Sequence, residues 1–405
     1  MRKLKVDSAF ISIFLFSVIF FSYEEGMSYI TQLLAIPLVV LFLVRSFILK
    51  DGFIVPLEFC LVGFWLVFSI VSGIFAVDFN VFFNQFLTCL QVMGIAFVLF
   101  NLLVWLKSST LVWSNIFFST LIMSVFVLQY PTRYYIHDRL AGRLENANLY
   151  ALALVIAYVY ALNRIIGSRS VAMKLFCLSS IPFILYLIGE AGSRKGIIAV
   201  VCFGILTMIL HYRYIFEKPI IVRLSIAVAL IVLVVISSYY IYQSKHIQRL
   251  EGVYIALKSG NISKADQSFK HRLQLYDYGW KMAVKHPVLG MGLNNFRVVL
   301  AKNSNSSKGV YSHSNMIELL ASTGFIGFAI YYSIYGSIFV KLIKLRRKYW
   351  KLWEDENKEL YITTFALFII FGLYDFAMVS YQGKLSWIIL SSIIASTAIL
   401  AEQNP

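Results

Sequence analysis

Charged residues are scarce in this sequence. Asp, Glu, Lys and Arg make up 14% of the chain, against about 25% in soluble globular proteins. That shortage excludes a soluble enzyme, and it equally excludes a disordered or fibrous chain, whose compositions are polar or repetitive. Cysteine is scarcer still. The four cysteines, Cys60, Cys89, Cys177 and Cys202, sit inside apolar stretches and form no CxxC pair. Neither a disulfide framework nor a thiolate metal site is supported, and core filling is their expected role. Several catalytic signatures are missing as well. There is no HExxH, no P-loop and no GxSxG elbow. No DxD pair falls in an outward connection, which speaks against a Mg²⁺- or Mn²⁺-dependent transferase.

What is present is apolar: 60% of the 405 residues are hydrophobic and 16% aromatic. A bilayer-spanning helix needs roughly 20 apolar residues, so about 240 residues would supply twelve of them. The sequence offers twelve candidate spans: 8–22, 28–47, 53–77, 84–106, 111–130, 148–166, 171–189, 196–212, 221–243, 319–341, 360–380 and 385–401. Residues 79–83 read as an interfacial turn ahead of the fourth span. The expected fold is all-α, a polytopic transmembrane helical bundle of about twelve spans with a large, partly helical outer loop between spans 9 and 10. This divides the chain into 1–243 (spans 1–9), 244–318 (outer loop) and 319–405 (spans 10–12). The basic stretch Met1–Asp7 leads into an apolar run without a small-residue cleavage site after Phe21, so a first span is expected there rather than a cleaved signal peptide.

The net charge is +16. In a soluble protein this would suggest nucleic acid, but here its distribution follows the membrane. With Arg2, Lys3 and Lys5 inside, the basic short connections fall on the same side: Arg45 and Lys50, Lys107, Arg164 and Arg169, Arg213, Lys218 and Arg223, then Lys341 to Lys351. Both termini are expected to be cytoplasmic. Three outer segments depart from the rule. "PTRYYIHDRLAGRLENAN" carries Arg133, Arg139 and Arg143. "GEAGSRKG" carries Arg194 and Lys195. The long loop holds eleven Lys/Arg against three acids between Lys245 and Lys308, and four of the six histidines lie between His246 and His313. Long loops are exempt from the rule, but the two short segments are not. Arginines held on the outer face suit an anionic ligand, because the guanidinium fork donates two parallel hydrogen bonds to phosphate.

Within the long loop, Phe269, Leu273, Tyr276, Trp280 and Val284 recur at helical spacing, with Lys270, His271, Gln274, Asp277 and Lys281 on the other face. This reads as an amphipathic helix lying on the membrane or against the spans, ended by Pro287. Gly290 and Gly292 mark a turn and Asn303–Ser307 a loop tip. A second helix is expected from about Ser312, which would cap it. Tyr134, Tyr135 and Tyr311 are candidates for stacking on sugar rings.

Three blocks carry a resemblance: "GEAGSRKGIIAV", "HRLQLYDYGWKMAVKHPVLGMGLNNF" and "YSHSNMIELLASTGFIGFAIYY". In order and spacing they resemble the shared region of O-antigen ligases and O-antigen polymerases. "RLAGRLENANLYA" resembles the segment that precedes it in many members, with Asn146-Ala147-Asn148 where Asn-Pro-Asn is usual. "GLYDFAMVS" sits where several ligases carry an aspartate. The resemblance covers about 139–380.

It implies a metal-independent, inverting membrane glycosyltransferase without a cofactor, in the bacterial inner membrane with its active site on the periplasmic or outer face. Its donor would be a glycan on undecaprenyl diphosphate, its acceptor a glycan or lipid A–core, with membrane lipid around it and no nucleic acid. The leaving diphosphate needs positive donors, and the acceptor hydroxyl needs a base. By resemblance, Arg194 and Arg272 would clamp the diphosphate. His313 would accept the proton, as a neutral imidazole can at neutral pH. Glu318 would orient the imidazole. Asp375, an intramembrane acid, joins the candidate substrate-binding residues with Arg139 and Arg143. Each has a plainer alternative: a lipid-snorkelling arginine for Arg194, a solvated helix face for Arg272, a surface histidine for His313, and a bundle ion pair for Asp375.

The sequence leans toward a repeat-unit polymerase, because the last block resembles capsule and O-antigen polymerases more than ligases. A ligase that moves finished polymer to lipid A–core is the alternative, with protein O-oligosaccharyltransferase as the remainder. A transporter or flippase for lipid-linked sugars is the alternative of another class. It should show charges or broken helices near mid-membrane in repeated halves, whereas the charges here gather on one face and no repeat is evident.

Overall fold

The computed structural model describes residues 2–24, 26–136, 139–168, 170–216, 267–304 and 309–402. In chain order the elements are α1 (Arg2–Phe20), α2 (Ser28–Leu43, continued by a π-helical turn Val44–Ile48), α3 (Leu57–Gly73), α4 (Phe79–Leu106), α5 (Thr110–Gln129) and α6 (Pro131–Tyr134). A small hairpin of β1 (Tyr135–Ile136) and β2 (Arg139–Leu140) and a 3₁₀ turn (Gly142–Leu144) precede α7 (Ala147–Gly167), α8 (Val171–Ala191) and α9 (Arg194–Phe216). Then come α10 (Gln267–Lys285), α11 (Phe296–Ser304), α12 (Asn315–Tyr349), α13 (Asp355–Asp375) and α14 (Lys384–Glu402).

Each predicted span within the described residues overlaps a helix, and the architecture of the described residues is all-α apart from the hairpin. Seven of the described helices are long and apolar enough to cross a membrane: α2 with its π turn, α4, α5, α7, α8, α12 and α14. Apolar stretches of α1 and α3 are shorter, and α9 and α13 occupy two further predicted spans. The predicted ninth span, 221–243, and residues 244–266 with His246 lie outside the described residues. Phe64 and Val67 of α3 stand 59% and 60% exposed, the kind of outward apolar surface that a bilayer covers.

The structure corrects three local expectations. Residues 79–83 are the first turn of α4, not a separate turn: the Asp78 side chain accepts the Val81 N–H at 3.1 Å and starts the helix there. Asn303 and Ser304 end α11 instead of opening a loop tip. The third concerns the packed face of α10. Leu275, Gly279, Met282 and Ala283 are buried, while Trp280 and Val284 stand 50% and 56% exposed. Leu275 and Met282 join Met291, Phe296, Leu300 and Ala321 in one cluster. At Gly279 an added Cβ would collide with Ile317. Close approach at a small residue therefore decides the face, and the bulkier Trp280–Val284 stripe turns outward. Trp280 meets Phe325 edge-on at 5.9 Å.

The chain groups into two compact units. One comprises Met1–Ile36, Ser109–Tyr254 and Lys351–Ile370; the other Pro37–Ser108, Ile255–Trp350 and Phe371–Pro405. In the first, α7 is the central helix, buried from Leu149 to Asn163 and packed against α5, α8 and α9. Ser124 and Tyr150 hydroxyls meet at 2.8 Å within it.

In the second unit α12 packs on α3 and α10, and α14 on α4. Trp65 lies 5.4 Å from Tyr331 and 6.2 Å from Tyr381, and Tyr331 lies 6.3 Å from Trp387, all four fully buried. Here the segment after α10 threads through a break in α12. Gly324 adopts φ 66°, ψ −173°, a conformation open essentially to glycine alone. The break lets Met291 and Gly292 N–H groups reach the Ala321 and Ser322 carbonyls at 3.1 and 2.9 Å, and Phe325 N–H reach the Pro287 carbonyl at 2.7 Å. A Cβ at Gly324 would lie 2.6 Å from the Pro287 and Val288 carbonyl oxygens. Gly324→Ala is therefore expected to destabilise the fold by about 1–3 kcal/mol from backbone strain alone. The check is thermal unfolding of purified protein in detergent, in which a Tm equal to the wild type would contradict this role.

Candidate active site

The sequence candidates fall into two groups, one in each unit. In the first unit Gly192, at φ 59°, closes α8 in the left-handed conformation, and α9 opens two residues later. Gly196 N–H donates to Ser193 Oγ at 3.3 Å, which makes Ser193 the cap and Arg194 the first helical residue. A helix N-terminus directs unpaired N–H groups and positive potential outward. Arg194, half-buried, adds its own charge to that end. Lys195 follows it on the helix and is also half-buried.

The turn that presents Arg194 is held from the side by Arg139. Its Nε donates to the Ala191 carbonyl at 3.0 Å and its Nη2 to Asn148 Oδ1 at 3.2 Å. Ser193 Oγ donates to the same Asn148 oxygen at 3.3 Å. Asn146 caps α7, accepting from the Asn148 and Leu149 N–H groups at 2.9 and 3.3 Å. Ala147 is then the first residue of α7, where proline is favoured because its missing N–H has no partner to lose. This explains why the turn survives without the proline. Tyr135 adds a hydrogen bond to Glu190 at 2.5 Å; burial first, then that bond, pushes its hydroxyl pKa upward.

Arg143 is only 7% exposed. Its Nε donates to the Phe20 carbonyl at 2.9 Å, it pairs with Glu24, and Phe20, Phe21 and Phe126 surround its guanidinium at 5.2–5.6 Å.

In the second unit α10 carries Arg272 and the turn before α12 carries His313. Their meeting point is Tyr311. Its ring lies 4.6 Å from the His313 ring, edge-on. Burial pushes the Tyr311 and Tyr276 hydroxyls up in pKa, and in both the nearby Arg272 guanidinium opposes the rise. Tyr311 and His313 thus pack together, with Arg272 within electrostatic reach of Tyr311. His313 has φ 59°, a left-handed backbone that costs energy for a residue with a side chain and recurs at functional sites.

The turn around His313 is tied down on both sides. The cap of α12 is Ser314, two residues after the expected Ser312. Ser312 instead braces the turn, donating from Oγ to the Ser314 carbonyl at 2.8 Å. Glu318 is fully buried and reaches back to accept the Ser312 N–H at 2.9 Å. Its observed contact is thus with the backbone that carries His313, and Arg297 of α11 lies within electrostatic reach of it.

On the other side Asn315 links α12 to the segment after α13. Its Oδ1 accepts from Ser380 and Tyr381 N–H at 3.0 and 2.9 Å, and its Nδ2 donates to Asp375 Oδ2 at 3.3 Å. Tyr335 and Tyr332 hydroxyls donate to that same Asp375 oxygen at 2.7 and 3.3 Å. Asp375, 1% exposed, is therefore held by hydroxyls and an amide. Among the described residues it makes no ion pair, so the expected bundle partner of basic type is replaced by this network.

The sequence reading assigns no organising role to Asn148, Asn315 or Tyr335. A buried asparagine in an apolar first turn, as in "SNMIELLAS", was the available signal, since such an amide must find partners.

No curated protein matches the chain. Residues 178–332 match a family model described as O-antigen ligase. The match takes in Arg194, Arg272, His313 and Glu318; Arg139, Arg143 and Asp375 lie outside it. Over residues 178–332, then, this chain is similar to the O-antigen ligase family.

Proposed function

We propose that this protein is an integral inner-membrane glycosyltransferase that moves a glycan from undecaprenyl diphosphate to an acceptor hydroxyl, and that it joins repeat units as a polymerase. The observation that carries the reading is the packing of Tyr311 on His313, with Arg272 within electrostatic reach of Tyr311, all three inside the matched segment. The family acts in surface polysaccharide assembly on glycan and lipid-linked substrates, and the apolar helices suit an enzyme working on a membrane-held donor.

In the reaction the acceptor oxygen attacks the anomeric carbon and the bond from that carbon to the diphosphate oxygen breaks. The electron pair leaves with the diphosphate, so configuration inverts. Arg194 and Arg272 are assigned to the leaving diphosphate, where negative charge grows. His313 takes the acceptor proton. Glu318 and Asp375 hold the His313 turn through Ser312 and Asn315. No step calls for a metal ion. The active site is assigned to the outer face and both termini to the cytoplasm, on the charge distribution of the connections.

The description of the matched family keeps a second reading, transfer of finished polymer to lipid A–core. A glycan gel of a strain lacking the gene, run beside carrier-linked glycan, separates the two. Products capped by a single repeat unit are the expected result. Bare lipid A–core with long polymer accumulating on undecaprenyl diphosphate would establish the ligase instead. An unchanged profile in a strain without a redundant gene would overturn both.

Arg139 is given a positioning role, because its hydrogen bonds run to the turn before Arg194. Arg139→Ala is expected to lower transfer roughly tenfold or more, the scale on which small misplacements of a reacting group act, with Arg139→Lys recovering little because it lacks the two-pronged fork. Steady-state kinetics with purified protein checks this; wild-type turnover in Arg139→Ala would contradict it.

A further inference from the structure

A cavity of about 410 Å³ opens in the first unit between the turn after α1 and the segment from α6 to α7. Glu24, Arg133, Tyr134, Ile136, Arg143 and Glu145 line it. Its size lies in the range of about 300–1,000 Å³ typical of small-molecule sites. Glu24 and Arg143 are 8% and 7% exposed, so its charged floor is built into the fold.

The charges in this cavity decide what it holds. Arg133 Nη2 meets Glu24 Oε1 at 2.9 Å, and Arg143 pairs with the same carboxylate. Arg143 spends further donors on the Phe20 carbonyl and on Met27 Sδ, at 2.9 and 3.3 Å. With Glu145 on the wall, the described lining carries two arginines and two glutamates, which balance. A balanced site gives a phosphate or diphosphate no net attraction, and a wall of charges repels an apolar ligand. Hydroxyl groups both donate and accept, so a polyol satisfies carboxylate and guanidinium together. Tyr134 and Ile136 offer apolar surface for the C–H face of a ring.

We infer that this cavity is a subsite for an uncharged hexopyranose of the acceptor glycan; its lining shares no residue with those assigned to the diphosphate. The acceptor assignment rests on the transferase reading; sugar binding itself does not. The site also gives Arg143 a different part from direct phosphate binding: it anchors Glu24 in the floor.

The test uses full-length protein in lipid nanodiscs. Arg133 and Glu145 are exposed, so Arg133→Gln and Glu145→Gln alter the rim, and Arg143 still pairs with Glu24 in the floor. Saturation-transfer NMR with methyl glucoside, galactoside, rhamnoside and N-acetylglucosaminide is expected to show binding of at least one probe, weakened several-fold in both variants. Sodium pyrophosphate should not displace it. In the transfer assay both variants should raise the KM for acceptor more than they lower kcat. Binding that is absent, or equal in wild type and variants, would overturn the site. Displacement by pyrophosphate would make it an anion site and overturn its assigned ligand. A rise confined to the donor KM would overturn the acceptor assignment. If no transfer is detected at all, the transferase reading fails while the binding experiment still decides whether the cavity holds sugar.

Discussion

His313→Asn is expected to lower kcat for glycan transfer by about 10²–10⁴, the contribution of a positioned general base. The choice of asparagine matters. His313 sits at φ 59°, and asparagine tolerates that left-handed backbone well. The variant therefore keeps the turn while losing the nitrogen assigned to accept the proton. His313→Gly would relieve the backbone strain and is expected to be at least as stable as the wild type, yet equally inactive. A stable, inactive pair separates chemistry from folding. Unchanged turnover in a well-folded His313→Asn protein would remove the histidine from the mechanism.

Arg194→Ala is expected to lower transfer by about 10²–10³, the cost of removing one donor from a site where transition-state charge develops. Arg194→Lys should recover only part of this, because an ammonium is a point charge without the bidentate fork. The loss should appear in kcat more than in KM for the donor, since the diphosphate gains charge as the sugar leaves. The position of Arg194 at the first residue of α9 adds the helix N-terminus to its own charge. That second contribution predicts residual activity in Arg194→Ala above that of His313→Asn. Full activity in Arg194→Ala would restore the plainer reading, an arginine snorkelling to lipid phosphates.

Much of the bundle is legible in the sequence, because apolar runs of the length a bilayer demands have few alternatives. The α10 helix and its end before Pro287 follow from periodicity and proline in the same way. Its packed face does not. Gly279 permits a close crossing that no hydrophobic count anticipates, and Trp280 turns outward as a result. The break in α12 is similar: one glycine among several, Gly324, carries a backbone conformation that only the threading of residues 287–292 reveals.

The candidate site divides along the same line. Arg194, Arg272 and His313 stand out by charge and resemblance, but their supports do not. Arg139 reads as a ligand arginine in the sequence, whereas its donors reach a carbonyl and an amide that hold the Arg194 turn. Arg143 likewise turns inward to Glu24 and three aromatic rings. Asp375 draws attention as a buried acid, and its tyrosine and asparagine partners lie 40 and 60 residues away in the chain. Partner choice over such separations is a property of packing, which local spacing does not encode.

The most direct measurement is elongation in a purified system. Carrier-linked repeat units extracted from a strain lacking the gene are supplied to the wild-type protein and to His313→Asn in nanodiscs, and chain length and free undecaprenyl diphosphate are followed together. Longer chains on the carrier and one undecaprenyl diphosphate released per linkage formed are predicted, with both slowed about 10²–10⁴-fold in His313→Asn. Folded wild-type protein that forms no linkage, or a His313→Asn protein that elongates at the wild-type rate, would contradict the account.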